Sequence, residues 1–329
     1  MKNYFFYIVM LSVLLISCGE EKPGLWKGGI EIIPGKEELA LKLPEKNSNL
    51  REMTATGETS DFYLQTRQVT DDVNLGVLNM LSFFDEILAY PPTKSDENHA
   101  EWGPWKLGGL SPLEGFVEIT KKEDGNYTYS FNIRPKTGGE WLTWFSGLNN
   151  YDGKSARKGK GYFTVNFDNL KKYDPATDES GEVKVSYDTV TSGRDIVVAF
   201  INFQGKNDKA PVNATYNFKE NKDMSGQFIF TVKGNIHADN SEYSELTKEE
   251  DWTFTTKWLS DGKGRSDISV IGGDINDMCY QSVCAGKYLA SECWDSSFIT
   301  TFSSESVYST QGELWGEAKT AGDKSACPF

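Results

Sequence analysis

A series of short alternating segments between residues 116 and 271 constrains the fold more than any other feature of the chain. In one of them Tyr129, Phe131 and Ile133 share a face, because successive side chains of a strand point to opposite sides. Clusters of glycine, asparagine and aspartate separate most of the segments, which is typical of tight turns. The predicted strands are 116–120, 127–134, 141–146, 161–168, 182–188, 195–203, 214–219, 227–238, 251–259 and 266–271.

The connections between these segments are short, so neighbouring strands are expected to pair as antiparallel hairpins. Aromatic residues make up 13% of the chain and glycines number 31, a composition that favours β-structure over helix. A twisted sheet of about ten strands curls or closes on itself. We therefore expect a mainly β fold, an antiparallel meander forming a curved sheet or incomplete barrel.

One helix is predicted, from about residue 70 to residue 88. Thr70 followed by two aspartates supplies a cap and early negative charge, and Pro91 and Pro92 prevent continuation. Its side chains are apolar nearly all round, which is typical of a largely buried helix. Two further strands are predicted between Leu25 and Pro44, around 30–32 and 39–43.

The first residues have the anatomy of a secretory signal. Lys2 precedes an apolar segment, 4–16, and a small residue, Ser17, follows it. As a helix the segment is about 20 Å long, too short for a bilayer core of roughly 30 Å. Leu15-Ile16-Ser17-Cys18 resembles the lipobox of bacterial lipoproteins. The resemblance implies cleavage before Cys18, a diacylglycerol thioether on its sulfur and an acyl chain on its new amino group.

The predicted organisation follows from that cleavage. Residues 1–17 are the signal peptide, 18–24 a lipidated tether and 25–329 a single β-rich domain, with a cystine-rich tail at 272–329. The tether lacks the aspartate that, in enteric lipoproteins, follows the lipidated cysteine and retains them at the inner membrane, so by resemblance we expect the outer membrane. Its acidic pair, Glu20-Glu21, also resembles the surface-export signal of Bacteroidetes lipoproteins. The expected location is the cell envelope, lipid-anchored on the periplasmic face or the cell surface.

The charge balance argues against nucleic acid as a partner. The chain has 34 Lys and Arg against 48 Asp and Glu, a formal charge of −14, and loss of Lys2 makes it −15 (33 minus 48). Such a body repels phosphate backbones. The basic segment Lys154–Lys160 is predicted to be a solvated loop.

Four cysteines remain after Cys18. An even number of thiols in an exported chain predicts disulfides, and four allow three pairings. The sequential pairing, Cys279–Cys284 with Cys293–Cys327, needs the least backbone rearrangement. Zinc is disfavoured because structural zinc ligands come in tighter pairs.

No catalytic motif, metal or cofactor site is recognised. His99 and His237 are the only histidines, and both are interpreted as surface residues. A carboxylate-based hydrolase stays open, because the separation of carboxylates is a property of the fold. Calcium is disfavoured because a lysine and an arginine lie within the acidic segment that could hold it, Asp261, Asp267, Asp274 and Asp277.

Tryptophans supply the candidate ligand-binding residues. Exposed indoles suit sugar stacking or a hydrophobic ligand, whereas buried ones cap a core. The candidates are Trp102, Trp105, Trp141 and Trp144.

Several short motifs resemble a set of bacterial lipoproteins that have no assigned activity. They are VN at 73–74, YPPT at 90–93, WGPW at 102–105, GRSD at 264–267 and CW at 293–294. We expect a membrane-anchored, non-enzymatic lipoprotein that binds an apolar or amphipathic ligand or serves an envelope assembly. The alternative is a surface module that binds glycan or protein, and a hydrolase is a third hypothesis.

Overall fold

The structure is a computed structural model, and it describes most of the chain after residue 31. The described residues are 32–45, 58–108, 111–151, 157–191, 193–206, 208, 210–235, 245–280 and 282–329. Cys18, the signal peptide 1–17, the tether 18–24 and His237 lie outside them.

Strands dominate the part of the chain that the structure describes. The sixteen strands there are β1 Lys94–Ser95, β2 His99–Lys106, β3 Leu113–Lys121, β4 Tyr127–Pro135, β5 Leu142–Asn150, β6 Lys160–Asn166, β7 Ser180–Asp188, β8 Gly193–Gln204, β9 Val212–Asn221, β10 Gly226–Gly234, β11 Glu250–Trp258, β12 Gly264–Gly272, β13 Cys279–Tyr280, β14 Val283–Trp294, β15 Thr300–Ser309 and β16 Lys319–Gly322. The helices are α1 Lys36–Leu39, α2 Asp61–Leu88 and α3 Phe167–Tyr173, and two 3-10 turns cover Gly273–Asp277 and Lys324–Ala326.

The chain divides into two compact units. The β1–β8 unit contains residues 32–40 and 73–211, and the β9–β16 unit contains 41–72 and 212–329. Helix α2 begins in the second of these units and ends in the first. The sequence-based prediction of one domain for 25–329 stays a prediction.

In the β1–β8 unit each strand pairs antiparallel with the next one in the chain. Residues 73–88 of helix α2 pack on the apolar face of this meander. Leu81 and Phe84 have no exposed surface, and the Phe84 ring lies 4.4 Å from that of Phe145. The opposite side of the helix is open to solvent, where Leu75 is 54% exposed.

In the β9–β16 unit the meander continues from β9 to β12, then through β14, β15 and β16, with β13 pairing on β14. Residues 61–72 of helix α2 belong to this unit. The Tyr63 ring stacks 4.3 Å from Phe298, and Phe62 meets Phe254 edge-on at 6.0 Å. In neither unit does the last described strand pair with the first.

All ten strands expected between residues 116 and 271 are present, and the antiparallel, mainly β fold is confirmed. Both disulfides form as predicted, Cys279 with Cys284 and Cys293 with Cys327. The region 272–329, interpreted as a cystine-rich tail, is more regular than expected. It contributes β14 and β15, two long strands that pair over most of their length.

Helix α2 begins at Asp61, earlier than the prediction near Thr70, although its end at Leu88 agrees. Its cap is built from Ser60, whose hydroxyl accepts a 3.1 Å hydrogen bond from the Tyr63 amide. The buried Glu292 on β14 accepts a second one, of 2.9 Å, from the Phe62 amide. Thr70 lies inside the helix, where its hydroxyl donates to the Arg67 carbonyl. A carboxylate from a distant strand therefore completes the start of the helix.

The predicted strand at 39–43 is not formed. The short helix α1 ends at Leu39, and residues 40–45 have no regular structure. Leu39 and Leu41 are nevertheless buried, so the apolar spacing marks burial there and not a strand.

The basic segment 154–160 is less solvated than predicted at its described end. The Arg157 guanidinium is 2.5 Å from the Asp85 carboxylate of helix α2, and Lys158 pairs with Glu38 at 3.4 Å. These contacts hold the segment against helices α1 and α2. Residues 152–156 lie outside the described part of the chain.

Candidate ligand-binding site

The WGPW motif forms an irregular part of strand β2. The register against β3 shifts between Trp102 and Trp105, and Gly103 there has a positive φ of 104°. Trp102 is buried, and its indole nitrogen donates a 2.8 Å hydrogen bond to the Tyr90 carbonyl. Trp102 is therefore a structural residue that holds the end of helix α2.

Trp105 and Trp144 meet in one aromatic cluster. Trp105 stacks on Phe131 with the ring centres 6.0 Å apart, and Trp144 lies 5.5 Å from the same ring. Phe83 of helix α2 completes the cluster at 4.9 Å from Phe131. Both indole nitrogens are shielded from solvent and have no acceptor among the described residues. The two rings belong mainly to the core of the β1–β8 unit.

Trp141 lies on the opposite face of that sheet. The Arg134 guanidinium lies 4.2 Å from its ring centre, and Phe116 meets it edge-on at 4.7 Å. Arg134 is itself held by Glu114 at 2.6 Å. The four predicted tryptophans therefore do not form one stacking surface.

The β9–β16 unit contains an open pocket of about 530 Å³. This lies within the 300–1,000 Å³ range of small-molecule sites. Its floor is formed where strands β12, β14 and β15 lie side by side, by Ile271, Lys287, Leu289 and Tyr308. Asn276 lines one side, and Ser309 and Thr310 line the other.

Buried carboxylates hold the wall that carries Asn276. This wall is the 3-10 turn Gly273–Asp277. Glu250, which has no exposed surface, accepts a 3.1 Å hydrogen bond from the Asp274 amide. The Asp274 carboxylate accepts another, of 3.0 Å, from the Lys248 amide. Beyond the turn, the disulfide of Cys279 with Cys284 closes the β13–β14 hairpin.

The opposite wall is the turn after β15. The Thr310 amide donates to the Cys284 carbonyl at 2.9 Å, and the Gly312 amide donates to the Ser309 carbonyl at 2.9 Å. Gly286 makes this close approach possible, because a Cβ at that position meets the Thr310 backbone at 2.9 Å. A main-chain hydrogen bond thus ties this wall to Cys284 of the Cys279–Cys284 disulfide.

The pocket surface combines apolar and hydrogen-bonding groups. Ile271 and Leu289 contribute aliphatic surface, and Tyr308 a phenol ring. The polar side-chain groups of Lys287, Asn276 and Tyr308 have no hydrogen-bond or ion-pair partner among the described residues. They are available to a ligand, as in sites where a few polar groups orient a mainly apolar partner.

The four aspartates of the acidic segment do not come together as calcium ligands. Asp261 pairs with Lys263 at 3.2 Å, Asp267 with Arg265 at 2.8 Å and Asp277 with Lys248 at 2.6 Å. The Asp274 carboxylate accepts from the Lys248 amide. Within the described residues no group of three His, Cys, Asp or Glu side chains is arranged to hold a metal ion. His99 lies 3.7 Å from Glu118.

Sequence reasoning missed the pocket residues. The region 272–329 is predicted to be a cystine-rich tail, and its serines, threonines and glycines carry no recognisable motif. The available signal was weak: an aliphatic residue, Ile271, followed at once by two glycines.

Comparison with known proteins provides no assignment. No protein-family model matches the chain, and no curated protein or solved structure matches it significantly. Within the described part of the chain, no helix is both long and apolar enough to cross a bilayer.

Proposed function

We propose that the protein is an exported lipoprotein, anchored in the outer membrane by acyl chains on Cys18, whose β-rich body binds a ligand without chemical turnover. The support for the anchor is the order of charge, apolar segment, small residue and cysteine at the start of the chain. Two disulfides among the four remaining cysteines are typical of an oxidising compartment.

The open pocket of the β9–β16 unit supports the binding function. An aliphatic floor beside groups that can donate hydrogen bonds suits a small amphipathic molecule. The ligand can be free in the envelope or carried by an envelope partner.

A surface module for glycan or protein is the second candidate. The observation that favours it is Trp141, which lies on the outer face with Arg134 and Phe116. Loss of glycan-array binding on Trp141→Ala, with Trp105→Ala as the core control, distinguishes this candidate from the pocket.

The lipid anchor is tested by Cys18→Ser. We expect the wild-type protein to label with radioactive palmitate and to partition into detergent, and the variant to do neither, because serine lacks the sulfur that forms the thioether. The matched control is Ser17→Ala, which keeps a small residue before the cysteine. Palmitate label that persists in Cys18→Ser rules out this anchor.

The pocket is tested by Leu289→Ser. We expect calorimetric binding of dodecanoate to the full-length protein carrying Cys18→Ser, a background without an attached acyl chain. Loss of the Leu289 side chain from the floor weakens that binding by about ten- to a hundredfold, since about 1.5–3 kcal/mol of apolar burial is at stake. The control is Leu148→Ser, which alters a leucine of similar partial exposure on strand β5. Equal affinity of the two variants counts against the pocket.

A further inference from the structure

The pocket differs in charge from the rest of the molecule. The chain carries 48 acidic residues, yet the pocket lining contains no Asp or Glu and one lysine, Lys287. The acidic residue at the end of the adjacent turn, Asp277, is paired with Lys248 at 2.6 Å. The lining itself thus carries one positive and no negative charge, which favours an anion there. On the same sheet face Asp251 lies opposite Ile271, on the side away from Lys287.

The position of Lys287 in the sheet places a second donor beside it. Lys287 on β14 is the register partner of Tyr308 on β15 and of Ile271 on β12. Directly opposite residues on one face have Cβ atoms about 5 Å apart. The ammonium group and the phenol hydroxyl can therefore reach the same ligand group, and both donate hydrogen bonds.

The apolar part of the floor continues from this pair. Leu289 is two residues from Lys287, so both side chains lie on the same face of β14. Ile271, 45% exposed, flanks Lys287 on the other side from Tyr308. A charged head at Lys287 and Tyr308 thus has aliphatic surface next to it, where an acyl or other apolar tail can lie.

We propose that the pocket binds an anionic amphiphile, with a carboxylate or phosphate head on Lys287 and Tyr308 and its apolar part on Leu289 and Ile271. This inference rests on the proposed binding function and specifies its ligand class. The head group can come from a free fatty acid or from a phosphate-bearing lipid, because both present oxygens that accept from an ammonium group.

The test compares three probes on the full-length protein carrying Cys18→Ser: dodecanoate, dodecyl phosphate and the neutral dodecyl maltoside. We expect the two anionic probes to bind at least tenfold more tightly than the maltoside. Lys287→Gln should weaken binding of the anionic probes about tenfold and leave binding of the maltoside unchanged. Added salt should reduce the difference in affinity between the anionic probes and the maltoside. Lys287→Arg should keep most of the preference for the anionic probes over the maltoside. The ratio of dodecanoate to dodecyl phosphate affinity identifies the preferred head.

The control is Lys257→Gln, on strand β11 outside the pocket lining. If dodecyl maltoside binds as tightly as the anionic probes, or Lys287→Gln binds like Lys257→Gln, the charge preference is overturned. If Leu289→Ser still weakens every probe in that case, the pocket remains the binding site. If neither Leu289→Ser nor Lys287→Gln affects any probe, or wild-type protein binds none, both the inference and the pocket are rejected.

Discussion

Replacing Cys327 with serine is expected to lower the free energy of unfolding by about 3–4 kcal/mol. The Cys293–Cys327 disulfide joins residues 34 apart in sequence, so its loss releases a long loop in the unfolded chain. Cys293 is fully buried on β14, directly before the buried Trp294. Because the substitution is made at position 327, the buried Cys293 side chain stays in place. Urea denaturation followed by tryptophan fluorescence measures the change.

The matched control is Cys284→Ser, which opens a loop of only five residues. By the same relation it costs about 2 kcal/mol, because closing a short loop removes less chain entropy. Cys327→Ser should therefore be the less stable of the two variants. If Cys284→Ser is the more destabilised, chain entropy is not the main effect of the longer bridge.

Gly147→Ala is expected to destabilise the β1–β8 unit by about 3 kcal/mol, at the upper end of the cost of overpacking. Gly147 on β5 is the register partner of Tyr129 on β4. A Cβ at Gly147 meets the Tyr129 ring at 2.4 Å and its hydroxyl at 2.5 Å. The ring cannot move aside, since it packs against Phe84 and Phe145. Burial also raises the pKa of the Tyr129 hydroxyl, so the group stays neutral.

The control for this substitution is Gly234→Ala on β10. There the nearest atom to the added Cβ is a Val212 methyl at 3.5 Å, an ordinary contact. We expect a change within about 1 kcal/mol, since alanine also restricts the unfolded chain. Thermal unfolding of both variants is compared, with the double variant Gly147→Ala/Tyr129→Leu as a third. If the double variant is destabilised by the sum of the effects of Gly147→Ala and Tyr129→Leu alone, that result would falsify the steric explanation.

Much of the sheet could be predicted because its strands show local alternation. Segments such as β4 and β10 place apolar side chains on one face, and turn residues mark their ends. Strands β14 and β15 lack this pattern. Their serines, threonines and charged residues lie among the apolar ones, and buried positions such as Glu292 are polar. Their pairing depends on neighbours that are distant in sequence.

The start of helix α2 depends on contacts that the local sequence does not show. Thr70 and the aspartates after it form a plausible local cap, yet the chain is already helical there. A buried network of hydrogen bonds favours the start of the helix at Asp61. The buried hydroxyls of Thr66, Thr256 and Ser266 form a chain of two 2.7 Å hydrogen bonds from the helix to β11 and β12. Thr256 is 190 residues away from Thr66 in sequence.

The candidate site was largely hidden from sequence reasoning. The chemistry of tryptophan suits ligand stacking, but exposure decides whether an indole can stack on a ligand. The structure buries Trp102, brings Trp105 and Trp144 into one cluster and leaves Trp141 on another face. The pocket instead uses common residues that become neighbours through strand register.

The sequence by itself determined the β-rich class, ten strands and the end of helix α2, and it favoured the sequential pairing of the four cysteines after Cys18. These follow from alternation, turn residues and short loops, which are local properties of the chain. Only the tertiary structure decided the start of helix α2, the strands of the C-terminal region, the exposure of the tryptophans and the pocket around Lys287. Each of these depends on side chains that lie far apart in sequence and meet only when the strands pair.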